Sequence, residues 1–505
     1  MNQVDEQSAP VENSSASWWN RLWQPCDIAS VAFFRVCFAG TVLVHVAMVL
    51  NNDWVTYYFG TSPYHMKFYG FEWVEALDVD GMGHVHRLMG LAAIGVGIGL
   101  FYRLSAVLLF VTFTYTLLAE AALFQNHYYL TSLISFVLIL IPAHRSFSVD
   151  AWLFSRKASS FIPNWCRWLL MFLVGVPYFY GGIAKINMDW LNAMPLLIWI
   201  PQKTHVAVIG SVVGEPWFAW FLSYSGLLLD LLIVPLLLWR RTRLFAYIAI
   251  VFFHLLNSQL FKIDVFPWMM ILLTTIFFDA DWPRRLLRWP SPSLSADLVA
   301  ASQRPTTGKR IVLSIVCVFV VWQAVFPLRH YVYPGDASWT EEGQNFSWRM
   351  MLHHKDLFVR FYAIDGVTGQ TVAIPASRML TQRQMLETSK SPEQMAAVAR
   401  FFAESAERLG MKNVQIRAVA IAALNGRKPQ LLFDPTLDLL TVDRSWRHQS
   451  WIRDLEEPLR DEPWTVPSSE WPQLLGVELP QVTAQRRRPA PGPRQPPVPQ
   501  QRHPQ

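Results

Sequence analysis

Charge is what this chain has least of. Only 16% of its 505 residues are Asp, Glu, Lys or Arg, against roughly 25% in soluble globular proteins. The scarcity is uneven: charged residues are sparse between about 28 and 280 and ordinary after about 330. This excludes a soluble globular fold for the whole length and implies a membrane part followed by a water-exposed part. Cysteine is scarce too, with four in all. Cys37 and Cys317 lie in apolar runs, Cys26 and Cys166 at the edges of others, and none follows residue 330. No disulfide framework is therefore expected in the water-exposed part. His and Cys show no metal-ligand spacing, so no metal is expected, and no internal repeat appears. The first 27 residues lack a basic n-region and a small-residue cleavage site. No cleavable signal peptide is evident, and the first apolar run is expected to be retained.

Apolar and aromatic residues are plentiful, at 52% and 14%, with 33 Phe and 23 Trp. A spanning helix needs about 20 apolar residues. About nine spans are expected, roughly 28–50, 84–101, 104–124, 128–142, 166–185, 217–238, 244–262, 265–280 and 311–327. The runs at 128–142 and 265–280 are short. Residues 331–483 read as a mixed domain. A hairpin is expected over 358–364 and 371–374, helices over 378–409, and strands at 414–421 and 430–433 around Asn425-Gly426. The fold class is thus an α-helical polytopic membrane protein with a mixed α/β, strand-rich C-terminal extracytoplasmic domain. Its divisions are 1–27, 28–330, 331–483 and a Pro/Arg/Gln-rich tail at 484–505, expected to be disordered.

Lys and Arg set the expected orientation. With the N-terminus cytoplasmic, the inner side receives Arg21, Arg103, Arg145, Arg240, Arg243, Arg284, Arg285 and others, while the outer loops hold only Lys67, Lys203 and Lys262. The net charge of +6 reflects these loop cations, so no nucleic-acid partner is expected. The partner is the lipid bilayer, and the C-terminal domain lies outside.

Lys185 ends the apolar stretch Tyr178-Phe-Tyr-Gly-Gly-Ile-Ala-Lys185-Ile-Asn-Met-Asp-Trp190. A lysine near hydrocarbon must reach water, find an anion or lose its proton. Snorkelling to the interface is the plain reading, and Asp189, four residues on, is a candidate partner. The deprotonated amine would be a base. His127 falls in an outer turn, and His254 with Asn257 shares one helix face, so three segments reach a similar depth. An interhelical hydrogen-bond role for His254 and Asn257 stays open. Asp230 reads as structural support, orienting a neighbour or pairing with Arg87 or Arg35.

At these residues the chain resembles the vitamin K-dependent gamma-carboxylases, from about residue 20 to 483. The resemblance rests on four segments in order: Tyr178–Trp190, Phe253-His-Leu-Leu-Asn-Ser-Gln-Leu-Phe261, Phe346-Ser-Trp-Arg-Met-Met-Leu-His353 and Leu432-Phe-Asp-Pro-Thr-Leu-Asp438. It is similar to a shorter, prokaryote-like member with the horizontally transferred transmembrane domain, which implies a bacterial inner membrane. Ala184, Asn187 and Arg349 depart from the animal pattern.

The resemblance implies that a reduced vitamin K-type quinone (phylloquinol or menaquinol) is oxygenated to its epoxide. The strongly basic oxygen species formed removes a glutamate gamma proton, and carbon dioxide adds to give gamma-carboxyglutamate in a protein or peptide. Molecular oxygen and carbon dioxide are co-substrates. Lys185 matches the initiating base and His127 a second catalytic position. Tyr178, Tyr180, His254 and Asn257 are the quinone-binding candidates; Trp348, Met350 and His353 match the glutamate-binding region. An amine desolvated among apolar spans suits deprotonation of a hydroquinone. Two other readings stay open: a quinol epoxidase without peptide carboxylation, and a non-catalytic quinone-binding membrane module.

Overall fold

The computed structural model describes residues 18–203, 210–261 and 263–483. Most of the 1–27 segment, the 484–505 tail and Lys262 lie outside the described residues. Each expected span coincides with a helix: α1 Ala29–Asn51, α2 Val79–Ile98, α3 Tyr102–Ala119, α4 Asn126–Leu140, α5 Asn164–Ala184, α6 Pro216–Leu238, α7 Arg243–Leu260, α8 Phe266–Thr274 and α9 Thr307–Val325. Among the described residues six of them, α1, α3, α5, α6, α7 and α9, are long and apolar enough to cross a membrane. Helices α4 and α8 are apolar but short, and α2 carries too much polarity for that criterion. Length and composition alone thus support six of the nine expected spans among the described residues.

Local chemistry sets the ends. The Asp78 carboxylate accepts from Gly81 N at the start of α2, and Gly99 ends it in the left-handed region at φ 67. Pro216 opens α6 at a position where its missing N–H costs nothing. Large apolar side chains stay exposed along α6, α7 and α9, among them Leu228, Leu232, Phe245, Phe252, Val318 and Val321. Such faces suit lipid, where burying them again is not required. Helix α5 is the best buried of the candidate spans. It packs on α6 through glycines: a Cβ on Gly182 would stand 2.8 Å from Leu231 Cδ2, and one on Gly175 3.3 Å from Val234 Cγ2. Small residues let two backbones approach where hydrocarbon gives no hydrophobic push.

Short strands β1 (Pro25–Asp27) and β2 (Phe161–Pro163) pair antiparallel beside the starts of α1 and α5. The C-terminal domain holds a four-stranded antiparallel sheet in the order β4 (Thr371–Ala373), β3 (Lys355–Ile364), β5 (Gln415–Leu424), β6 (Gln430–Leu431). Strand β3 alternates: Phe361 and Ala363 face one apolar cluster, Phe358 and Tyr362 the other. The first cluster contains Val398, Ala399 and Phe402 of α11 (Pro392–Glu407), which follows α10 (Gln382–Lys390). Thr381 and Gln384 form a capping box on α10, and Ser391 caps α11 ahead of Pro392. The expected hairpin, helices and later strands are all present.

The two parts are joined by buried polar contacts. Arg427 Nη1 and Nη2 reach the Asp189 carboxylate at 2.6 and 2.7 Å, and Asn425 Nδ2 donates to it at 2.7 Å. Asn425 and Gly426 both take positive φ, 49 and 74, which turns the chain after β5 toward the helical part. On the other side, Gln384 Nε2 donates to Glu120 Oε2 at 2.8 Å.

Candidate functional site

Lys185 ends α5 and is buried. It does not snorkel. Its Nζ lies 2.6 Å from Asp230 Oδ2, 3.2 Å from Gly181 O and 5.2 Å from the Trp190 ring. Asp230 sits mid-way along α6, so Lys185 is level with the middle of its neighbour, not with its end. Residues 188–203 fold into short helical turns beyond it, and Trp190 is tied to α6 by reciprocal bonds with Ser223 at 3.0 and 2.6 Å.

Two sequence expectations are corrected here. Asp189 does not pair with Lys185; it pairs with Arg427. Asp230 does not pair with Arg87 or Arg35; it pairs with Lys185. Arg35 instead donates to Ala143 O and Phe147 O. The amine is therefore not alone in hydrocarbon.

Tyr178 stands two turns before Lys185 on the same face of α5, about 10 Å along the axis. Its hydroxyl meets His254 Nε2 at 2.8 Å. The His254 ring lies edge-to-face on Phe266 at 5.8 Å, and His127 stacks on the same Phe266 at 5.3 Å. His254 Nδ1 and His127 Nε2 are buried without a hydrogen-bond partner among the described residues. A cavity of about 10 Å³, lined by His127, His45 and Thr131 among others, has room for one water. The structure thus brings Lys185, Tyr178, His254 and His127 into one connected region. Asn257, half-buried one turn beyond His254, makes no side-chain hydrogen bond to it. Tyr180 faces elsewhere, its hydroxyl donating to Ala324 O of α9.

The C-terminal domain enters this region through the segment 346–352. Phe346, Trp348 and Met351 all adopt positive φ, between 53 and 60, a conformation non-glycine residues take only when surroundings enforce it. Trp348 is fully buried in the helical core, 5.1 Å from the Tyr129 ring, and its Nε1 has no partner among the described residues. Met350 reaches α5 at Gly181. A Cβ there would stand 3.6 Å from Met350 Cε, 3.2 Å from Asp230 Oδ2 and 3.7 Å from Lys185 Nζ. Leu352 packs with Ala184 and Trp190. Met350 and the Lys185–Asp230 pair therefore approach the same point at Gly181, whereas Trp348 sits by Tyr129.

His353 is held apart from the pair. Its Nε2 lies 3.2 Å from Glu341 Oε1, which Lys355 Nζ also reaches at 2.7 Å. Burial alone would raise the Glu341 carboxyl, but the Lys355 ammonium and the His353 ring more than offset it and hold it down to about 2. A folded value below the ordinary 4.5 stabilises the fold above that pH, and the stabilisation is lost as pH falls toward 2. Thermal unfolding of the purified protein between pH 5 and 2 should show an acid loss of about 3 kcal/mol that Glu341→Gln removes. An unchanged acid limb in Glu341→Gln would discard this assignment.

Sequence reasoning undervalued Asp230, Gly181 and Phe266. An acid in a leucine run was visible, and the Gly181-Gly182 pair signalled a close neighbour. Phe266 carried no signal among so many aromatics.

A buried cation–carboxylate pair in a helical core, capped by a strand-rich domain, defines an integral membrane protein with a polar site inside its helices. Residues 23–282 match the HTTM domain family, which covers most of that helical part. Residues 308–458 match the vitamin K-dependent gamma-carboxylase lumenal domain. The chain belongs to the vitamin K-dependent gamma-carboxylase family, and a carboxylase-type function dependent on a vitamin K quinone goes with it. No solved structure matches the chain.

Proposed function

We propose that this protein carboxylates protein glutamate to gamma-carboxyglutamate, coupled to epoxidation of a reduced vitamin K-type quinone, from nine crossings with the C-terminal domain extracytoplasmic. The observation that carries the reading is the buried Lys185–Asp230 pair, which shares the Gly181 position with Met350 of the segment that enters from the C-terminal domain. Chemistry on a lipid-soluble quinol and on a water-borne glutamate needs the two parts to meet at one place.

With dioxygen, the quinol supplies a base strong enough for the glutamate gamma proton, which no ordinary side chain can remove. The chain's own work is smaller. The Lys185 ammonium passes a proton to the Asp230 carboxylate, and the freed amine takes the quinol hydroxyl proton, so that the pair gains one proton in all. Tyr178 fixes the His254 ring, leaving its Nδ1 free toward a ring hydroxyl or carbonyl. The orphaned His254 Nδ1 and His127 Nε2 on either side of an aromatic ring suit such a ligand. The space of about 10 Å³ beside His127 does not admit a naphthoquinone ring, so side chains around it must move on binding. Met350 and Leu352 then keep water from the site.

The purified protein, given menaquinol or phylloquinol, oxygen, a glutamate peptide and labelled bicarbonate, should yield epoxide and labelled peptide together. Epoxide without label identifies an epoxidase uncoupled from carboxylation. No epoxide with either quinol identifies a non-catalytic module.

A further inference from the structure

At the end of the helices remote from the C-terminal domain lies a cavity of about 320 Å³. Its walls come from the start of α3 (Phe101, Arg103, Leu104), the loop after α4 (His144, Arg145) and residues Asp150 and Phe154 around the short helix Val149–Leu153. Arg103 and Arg145 are exposed. Neither has a carboxylate or carbonyl partner among the described residues; Arg103 lies only over the Tyr102 ring, at 5.9 Å. The carboxylate in the wall is committed elsewhere, because Asp150 accepts from Phe101 N and Tyr102 N, both at 2.9 Å.

Behind the loop stands a third guanidinium. Arg35 is fully buried, and it donates to Ala143 O at 2.5 Å and Phe147 O at 2.6 Å, without a carboxylate at hydrogen-bonding distance. Three guanidiniums thus face one carboxylate, an excess of two positive charges. His144 stacks on Tyr102 at 4.9 Å and leaves its buried Nδ1 without a partner among the described residues. Around this polar floor the surface turns apolar. Phe101, Leu104, Trp152 and Phe154 are 63%, 60%, 80% and 53% exposed. Aromatic and leucine side chains left open beside unpaired arginines belong where hydrocarbon meets headgroups.

We propose that this cavity binds the phosphate of an anionic phospholipid, with Arg103 and Arg145 on the headgroup and the apolar rim along its chains. Paired guanidiniums bind phosphate oxygens by charge-assisted hydrogen bonds, and the rim selects a lipid over a free anion. The site is at the far end of the helices from Lys185, so this inference stands or falls apart from the proposed reaction.

Native mass spectrometry of the full-length protein from maltoside micelles tests it, with dioctanoyl phosphatidylglycerol as the probe. A saturable one-lipid adduct is expected, and dioctanoyl phosphatidylcholine should bind distinctly more weakly. Arg103→Gln with Arg145→Gln should weaken phosphatidylglycerol binding by about thirtyfold, the loss expected for two arginines at a headgroup. Arg103→Lys with Arg145→Lys should keep most of it. Both variants alter exposed side chains, so an unchanged thermal midpoint verifies that they fold. Equal binding by the Gln variant and the wild type overturns the site. Equal binding of the two lipids, or displacement by inorganic phosphate at the same concentration, overturns the anionic-lipid assignment.

Discussion

Replacing Lys185 with alanine should abolish epoxide formation from an added hydroquinone. Loss of a positioned general base removes roughly a hundred- to ten-thousandfold in rate. The single change is not a clean test, because it strands Asp230 in a buried site. An unpaired buried charge of this kind costs about 3–5 kcal/mol, enough to unfold many proteins. Lys185→Met combined with Asp230→Asn removes both charges at nearly constant volume. That double variant should keep a thermal midpoint near the wild type while forming no epoxide. Turnover near the wild-type rate in a folded double variant would show that the base lies elsewhere. Asp230→Asn alone separates the two roles, since it leaves the amine without the carboxylate that holds it.

Arg427→Met should be the most damaging single change in the C-terminal domain. It leaves the Asp189 carboxylate buried with Asn425 as its remaining side-chain donor. The expected cost is about 3–5 kcal/mol, read as a lower thermal midpoint of the detergent-solubilised protein. Because Asp189 lies four residues beyond Lys185, epoxide formation should fall with it. Asp189→Asn combined with Arg427→Gln replaces the ion pair with neutral hydrogen-bonding groups, and should recover most of the stability. A stability for Arg427→Met within about 1 kcal/mol of the wild type would mean that the pair does not hold the two parts together.

The helical part was legible because apolar runs of sufficient length announce themselves, and every expected span has its helix. The hairpin of the C-terminal domain was legible too, from alternation in Phe358–Ile364 and the turn around Asp365-Gly366. Pairing was not legible. The four-residue spacing of Lys185 and Asp189 suggests a contact only if the helix continues. It stops at Lys185, and Asn187 caps the next turn by accepting from Trp190 N at 2.9 Å. Asp189 is thereby turned toward Arg427, more than 200 residues away in the chain. The partner chosen by Lys185 depends on how closely α5 and α6 approach, which Gly175 and Gly182 permit but do not spell out. Left-handed backbone at Phe346, Trp348 and Met351 leaves no trace in residue type, so the depth reached by that segment was invisible as well.

Gly181 has a consequence for traffic between solvent and bilayer. Where a side chain would stand, Met350 from the water-facing domain and the Lys185–Asp230 pair from the helices come within contact of the same point. In the proposed reaction, alanine there would set a methyl group between the domain that brings glutamate and the helices that bring quinol. A residue with no side chain is what lets the two parts come so close.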